Sequence, residues 1–99
     1  MSAQFNFEWD PAKAKANLKK HGVSFEHATS VFRDPRALSF FDREHSDDDE
    51  RWVTLGRSDG DLFVIIHTIQ EIAPDEFDVR LISARRATRK EQRHYETSS

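Results

Sequence analysis

The run Phe63-Val64-Ile65-Ile66 is apolar at four consecutive positions. A strand built from it has no polar face, so it must lie inside a sheet that is covered on both sides. Ser58-Asp59-Gly60-Asp61, just before it, is a tight-turn sequence that joins strands expected at residues 51–57 and 62–69 into a hairpin. Residues 38–42 and 77–84 read as further strands, and Phe5-Asn6-Phe7-Glu8-Trp9 alternates like a short edge strand with one buried face. The result is a mostly antiparallel sheet of four to five strands.

Helices must supply the cover. Asp10-Pro11 offers a side-chain acceptor at an N-cap followed by proline at the first helical position, and Gly22 offers a left-handed stop after Lys19-Lys20-His21. A helix over residues 11–21 follows. A second is expected from Ser24, carrying Phe25, Ala28, Val31 and Phe32 on one face until Asp34-Pro35 ends it, so that the two form a helical hairpin. Thr88-Arg89-Lys90-Glu91 has capping-box spacing and starts a last helix, to about residue 96. The fold class is α+β. At 99 residues the chain makes one domain, with its core over about residues 5–96.

The sequence contains no cysteine, which excludes a disulfide framework, a thiolate nucleophile and a cysteine-based zinc site, and fits a reducing cytoplasm. Met1-Ser2-Ala3-Gln4 has no export-signal pattern, and no apolar run approaches the length needed to span a bilayer. The expectation is a cytoplasmic protein that does not engage membranes.

The formal charge of −3 hides a segregation. Between Asp42 and Glu50 six acidic residues face one Arg43, whereas between Arg80 and Arg93 six basic ones (Arg80, Arg85, Arg86, Arg89, Lys90, Arg93) face one Glu91. Screening beyond about 8 Å lets such a basic surface attract phosphate regardless of the whole-chain charge. Helical spacing brings Arg86, Arg89, Lys90 and Arg93 near one face, where they suit a nucleic-acid backbone; a merely solvated helix face is the alternative.

Arg80 carries the sharpest chemical signal. Strand alternation puts Phe77, Val79 and Leu81 on one face and Asp78, Arg80 and Ile82 on the other. Arg80 either pairs with Asp78 or Glu50, or presents a planar guanidinium that can grip a phosphate and stabilise the charge of a pentacoordinate transition state. RNA cleavage without a metal needs a base for the 2′-hydroxyl and an acid for the leaving 5′-oxygen. His21, His45, His67 and Glu50 are candidates, with Tyr95 a weaker one because of its high intrinsic pKa. His21 could equally serve as a helix C-terminal cation, and His67, which alternates with Ile65 and Ile69, as a satisfied core histidine. His27 and His94 read as helix-surface residues. The run His45-Ser46-Asp47-Asp48-Asp49-Glu50 lacks the spaced ligands and turn glycine of a calcium loop. Neither a metal site nor a cofactor is therefore expected, and three glycines leave no phosphate-binding loop.

In this order the residues are familiar. Phe7-Glu8-Trp9-Asp10, Asn17 with Lys20-His21-Gly22-Val23-Ser24-Phe25, Glu50-Arg51 leading to Gly56-Arg57, and Leu81-Ile82-Ser83-Ala84-Arg85-Arg86-Ala87 followed by Arg93 and Tyr95 resemble the BrnT toxin family over about residues 5–96. The resemblance implies a RelE-like fold and a ribonuclease that inhibits translation. It also implies a BrnA-like antitoxin, whose complex with the toxin binds its own promoter DNA. The positions it favours are Lys20, His21, Glu50, Arg51, Arg80, Ser83, Arg85 and Tyr95. Arg51 alternates with Val53 and Leu55 and could instead hold the acidic loop. Ala73-Pro74-Asp75-Glu76 departs from the family pattern, which turns more tightly there, and leaves the strand register around Arg80 open. Two other readings compete: a non-enzymatic module that only binds protein or nucleic acid, and a metal-dependent nuclease built on the acidic run.

Overall fold

The computed structural model describes residues 3–44 and 50–98. Chain order is β1 (Gln4–Glu8), α1 (Pro11–His21), α2 (Phe25–Ala28) running into a 3-10 turn (Thr29–Arg33), β2 (Leu38–Asp42), β3 (Arg51–Ser58), β4 (Asp61–Ala73), β5 (Glu76–Arg86) and α3 (Arg89–Thr97). The strands form one sheet in the order β1-β5-β4-β3-β2, with β4 central, as its unbroken apolar run requires. Three pairings are antiparallel, but β1 lies parallel to β5, Glu8 opposite Arg80, so the sheet is mixed.

Caps fix the helices. Asp10 accepts from the Ala12 N–H at 2.9 Å, and Gly22 closes α1 with φ 71°, a conformation that costs glycine nothing. Ser24 caps α2 through the His27 N–H. The expected hairpin of two full helices is not formed, because α2 is a single α turn that tightens into 3-10 geometry, where Thr29 and Ser30 hydroxyls turn back onto the Glu26 and His27 carbonyls. Thr88 and Glu91 make the full capping box of α3. The strands β4 and β5 run longer than expected, and Pro74-Asp75 forms the tip between them, with Asp75 at φ 60°.

The core has two layers. On one sheet face Phe63, Ile65, Leu81 and Ala84 pack against Val23, Phe25, Ala28 and Val31, with Phe7, Trp9 and Phe32 at the margin. Buried Asn17 stitches α1 to this layer. Its amide donates to the Val23 and Ala84 carbonyls and accepts from the Ala84 N–H. On the other face Leu55, Leu62, Val64 and Tyr95 cluster with Leu38, Val53, Ile66 and Ala87.

A bulge in β5 decides what each face displays. Ile66 pairs with Ser83 but His67 pairs with Leu81, leaving Ile82 as the extra residue. Leu81 and Ala84, three positions apart, consequently share the helical face. Arg80, Ser83 and Arg85 share the opposite one, since their partners Thr68, Ile66 and Val64 alternate along β4. The expected grouping of Arg80 with Asp78 holds, and the bulge adds Ser83 and Arg85 to it.

Candidate active site

Register organises the face that carries Arg80 into rows across the strands. Two rows run Phe40, Val53, Ile66, Ser83 and Leu38, Leu55, Val64, Arg85; beyond them Asp42 pairs with Arg51, and Arg80 with Thr68 and Glu8, and continuing the Trp52–His67 register by one residue sets Arg51 beside Thr68. Arg51 and Arg80 therefore stand two strands apart, about 10 Å at the backbone, a span that two long guanidinium side chains can share around one phosphate. Together with Asp10, Lys13, Leu81 and Ile82 they line a recess of about 280 Å³. Three of these six side chains are cationic. Lys13 was not singled out from the sequence, and no local signal could have revealed it, because only the parallel pairing of β1 with β5 brings the start of α1 to Arg80.

Arg85 belongs to the same face but is held from α3. Its guanidinium donates two 2.9 Å hydrogen bonds to the Glu91 carboxylate, a bidentate pair. Arg85 holds the Glu91 carboxyl down at about 2 against the burial that would raise it, with the Thr88 N–H adding to the effect. The Glu91 hydrogen bonds in turn raise the Arg85 pKa. The same carboxylate thus closes the capping box and fixes the arginine.

Tyr95 is buried, at 4 % exposure, and its hydroxyl donates to Asp34 at 2.6 Å. Burial and the Asp34 carboxylate both raise its pKa, against a smaller opposing effect of Arg57. The guanidinium groups of Arg36 and Arg57 lie 5.7 and 5.5 Å from its ring centroid.

The other expected residues are dispersed. Lys20 and His21 end α1, and His21 lies eight residues beyond Lys13, about 12 Å along the helix. Glu50 is exposed immediately before β3. His45 and most of the acidic run lie outside the described residues. Arg89, Lys90 and Arg93 are exposed on α3. Arg86 does not join them. It turns to the helical face, pairs with Asp61 at 3.1 Å and stacks over Phe63. His67 is a core histidine, bonded through Nε2 to the Thr54 hydroxyl at 2.6 Å, and burial lowers its pKa. His27 is half-buried edge-on against Phe63, while exposed His94 packs at a tilt against Phe40. Among the described residues no three His, Asp or Glu side chains are grouped to hold a metal ion, and no helix is long and apolar enough to cross a membrane.

A cationic recess on a rigid sheet, with a further arginine fixed from a basic helix two rows away on the same face, is equipped to grip a phosphodiester and to oppose charge developing on it. No curated protein matches the chain. Residues 9–91, which contain every member of the recess, match the family described as "Ribonuclease toxin, BrnT, of type II toxin-antitoxin system". The chain belongs to the BrnT family of ribonuclease toxins of type II toxin–antitoxin systems.

Proposed function

We propose that this chain, in a RelE-like domain spanning residues 1–99, is a metal-independent endoribonuclease that cuts RNA in the recess of Arg80, Arg51 and Lys13. The observation that carries the reading is that Arg51, Arg80 and Lys13 line one recess. The RNA 2′-hydroxyl attacks the adjacent phosphorus, the bond to the 5′-oxygen breaks, and a 2′,3′-cyclic phosphate forms. Arg80 and Arg51 stabilise the extra negative charge of the phosphorane, and Arg85, oriented by Glu91, extends the cationic surface. Glu50, beside Arg51 in the chain, takes the 2′-hydroxyl proton, and the leaving 5′-oxygen takes up a proton from water to depart as a hydroxyl. Ser83 and the α3 cations Arg89, Lys90 and Arg93 guide the strand, with Arg86, Lys20 and His21 contacting a longer substrate. His45 belongs to the same set through the family resemblance alone. Tyr95 fixes α3 rather than touching the RNA, since its phenol is buried against Asp34. A recess rich in guanidinium suits charge stabilisation without a metal ion.

In the cytoplasm such cleavage inhibits translation, and a BrnA-like antitoxin restrains it, the complex repressing its own promoter. Purified protein incubated with RNA in the presence of a chelator should yield 2′,3′-cyclic phosphate and 5′-hydroxyl ends, while DNA and 2′-O-methyl RNA remain intact. Cleavage of 2′-O-methyl RNA at the normal rate refutes the mechanism. Growth arrest on expression, relieved by co-expression of a BrnA-like antitoxin, tests the biological role. Unimpaired growth with soluble folded protein refutes it.

A further inference from the structure

We infer that the groove between α3 and the sheet is the seat of an acidic amphipathic helix of the antitoxin. The inference rests on the reading that a protein partner restrains this enzyme. The groove holds about 600 Å³, with Phe40, Val53, Leu55 and Val64 as its floor and Lys90, Arg93 and His94 on its α3 wall. The floor is contributed by three adjacent strands, β2, β3 and β4. Two inter-strand spacings make it about 10 Å wide, the diameter of one helix. Among the described residues only a nine-residue helix lies over this side of the sheet; it already buries Leu55 and Val64, while Phe40 remains 44 % exposed at the outer end of the floor. Phe40 is the floor residue whose ring a partner can still cover, beside the cationic rim.

Charge selects the occupant. The one carboxylate on the wall, Glu91, is engaged by Arg85, so the wall presents Lys90 and Arg93 as a cationic rim above an apolar floor. A helix with apolar residues spaced i, i+3/i+4, i+7 and carboxylates along its flank matches both. A nucleic-acid backbone would satisfy the rim but leave the floor unmatched. Seated there, the helix lies one row from Arg51 and Arg80, because Phe40 and Val53 border their row. Its flank would then obstruct RNA at the recess.

The test measures binding of the antitoxin that relieves growth arrest to the wild-type chain, Phe40→Glu, Phe40→Leu, and Lys90→Glu combined with Arg93→Glu. Thermal transitions verify folding. Phe40→Glu should weaken Kd by more than about tenfold while the free variant cuts RNA at the wild-type rate, and Phe40→Leu should restore most of the affinity. The double charge reversal should weaken binding and flatten its salt dependence. Unchanged affinity of Phe40→Glu overturns the proposal, as does antitoxin that does not bind the wild type. Loss of RNA cleavage with unchanged Kd gives the groove to RNA, and a dimer of the chain alone that Phe40→Glu dissociates gives it to a second copy; either overturns the proposal. A wild-type chain that binds antitoxin but cuts no RNA refutes the ribonuclease mechanism, and leaves the docking site to be decided by the Phe40 affinities.

Discussion

The Tyr95 hydroxyl donates a 2.6 Å hydrogen bond to Oδ2 of Asp34, which also accepts the Arg57 N–H at 2.8 Å, while its Oδ1 accepts the Arg36 N–H at 2.9 Å. One carboxylate therefore ties the turn after the 3-10 segment, strand β3 and helix α3 together. Burial alone would raise the Asp34 pKa, but these hydrogen bonds and the charge of Arg57 outweigh it and the net shift is downward.

Tyr95→Phe should destabilise the fold by about 1.5–3 kcal/mol, the usual worth of a hydrogen bond to a charged group. Denaturant titration measures this, and hydrogen exchange should locate the loss at α3. Cleavage of RNA below saturation should fall no further than loosening of α3 explains. Abolished activity in a variant with wild-type stability would instead make the phenol a proton donor.

Glu91 sets an acid limit on stability. Its carboxyl titrates at about 2 in the folded protein against an ordinary value of 4.5. The folded pKa is depressed, so the contribution is fully present above the ordinary value and is lost as pH falls from about 4.5 toward about 2. Asp34, shifted in the same direction, adds to the same acid-side loss. Glu91→Gln keeps a capping-box residue but removes the ion pair. Its stability should depend less on pH between those limits, read by thermal melts at successive pH values. An unaltered pH profile would show that Arg85 holds no charged partner there.

Local rules were legible wherever neighbouring residues settle the conformation. Asp10-Pro11, Gly22, Ser24 and the Thr88–Glu91 box mark helix ends because a cap is satisfied within a few residues, and the both-faces-apolar run of β4 forces a central strand. The site was legible in part. Arg80 stands out as a strand arginine and Arg51 is favoured only through the family resemblance, but what joins them is long-range structure. The bulge at Ile82, which adds Ser83 and Arg85 to the face of Arg80, depends on how β4 and β5 pack and leaves no local mark. Lys13 was invisible for the same reason, since it reaches the recess only through the β1–β5 pairing. Arg86 shows the converse. Helical spacing grouped it with Arg89, Lys90 and Arg93, yet it ends a strand, and Asp61 and Phe63 draw it to the other face.

Gly56 fills a tight space. A Cβ at this position would stand 2.6 Å from Val31 Cγ1 and 3.2 Å from Ala37 Cβ, closer than packed carbons tolerate. Gly56→Ala should therefore cost about 1–3 kcal/mol through overpacking, seen as a lowered midpoint of denaturant unfolding. A midpoint equal to that of the wild type would mean that the 3-10 segment carrying Val31 can yield freely.

The common recess of Arg51 and Arg80 makes a sharper demand on kinetics than either residue alone. Each guanidinium removed from a site that stabilises transition-state charge should cost roughly 10²–10³ in rate, while the thermal transition of Arg80→Ala stays close to that of the wild type because Arg80 is exposed. Arg80→Lys should recover little, since one ammonium cannot reproduce the planar fork. If both arginines act on one phosphate, the Arg51→Ala, Arg80→Ala double variant should lose much less than the product of the single losses, because the phosphorane contact is already broken once either is gone. Independent sites would multiply their losses instead. Single-turnover cleavage of a short RNA by the four proteins of this cycle reads the coupling directly. Strict multiplicativity would separate the two arginines into distinct roles, and full activity of Arg80→Ala would remove the recess from the mechanism.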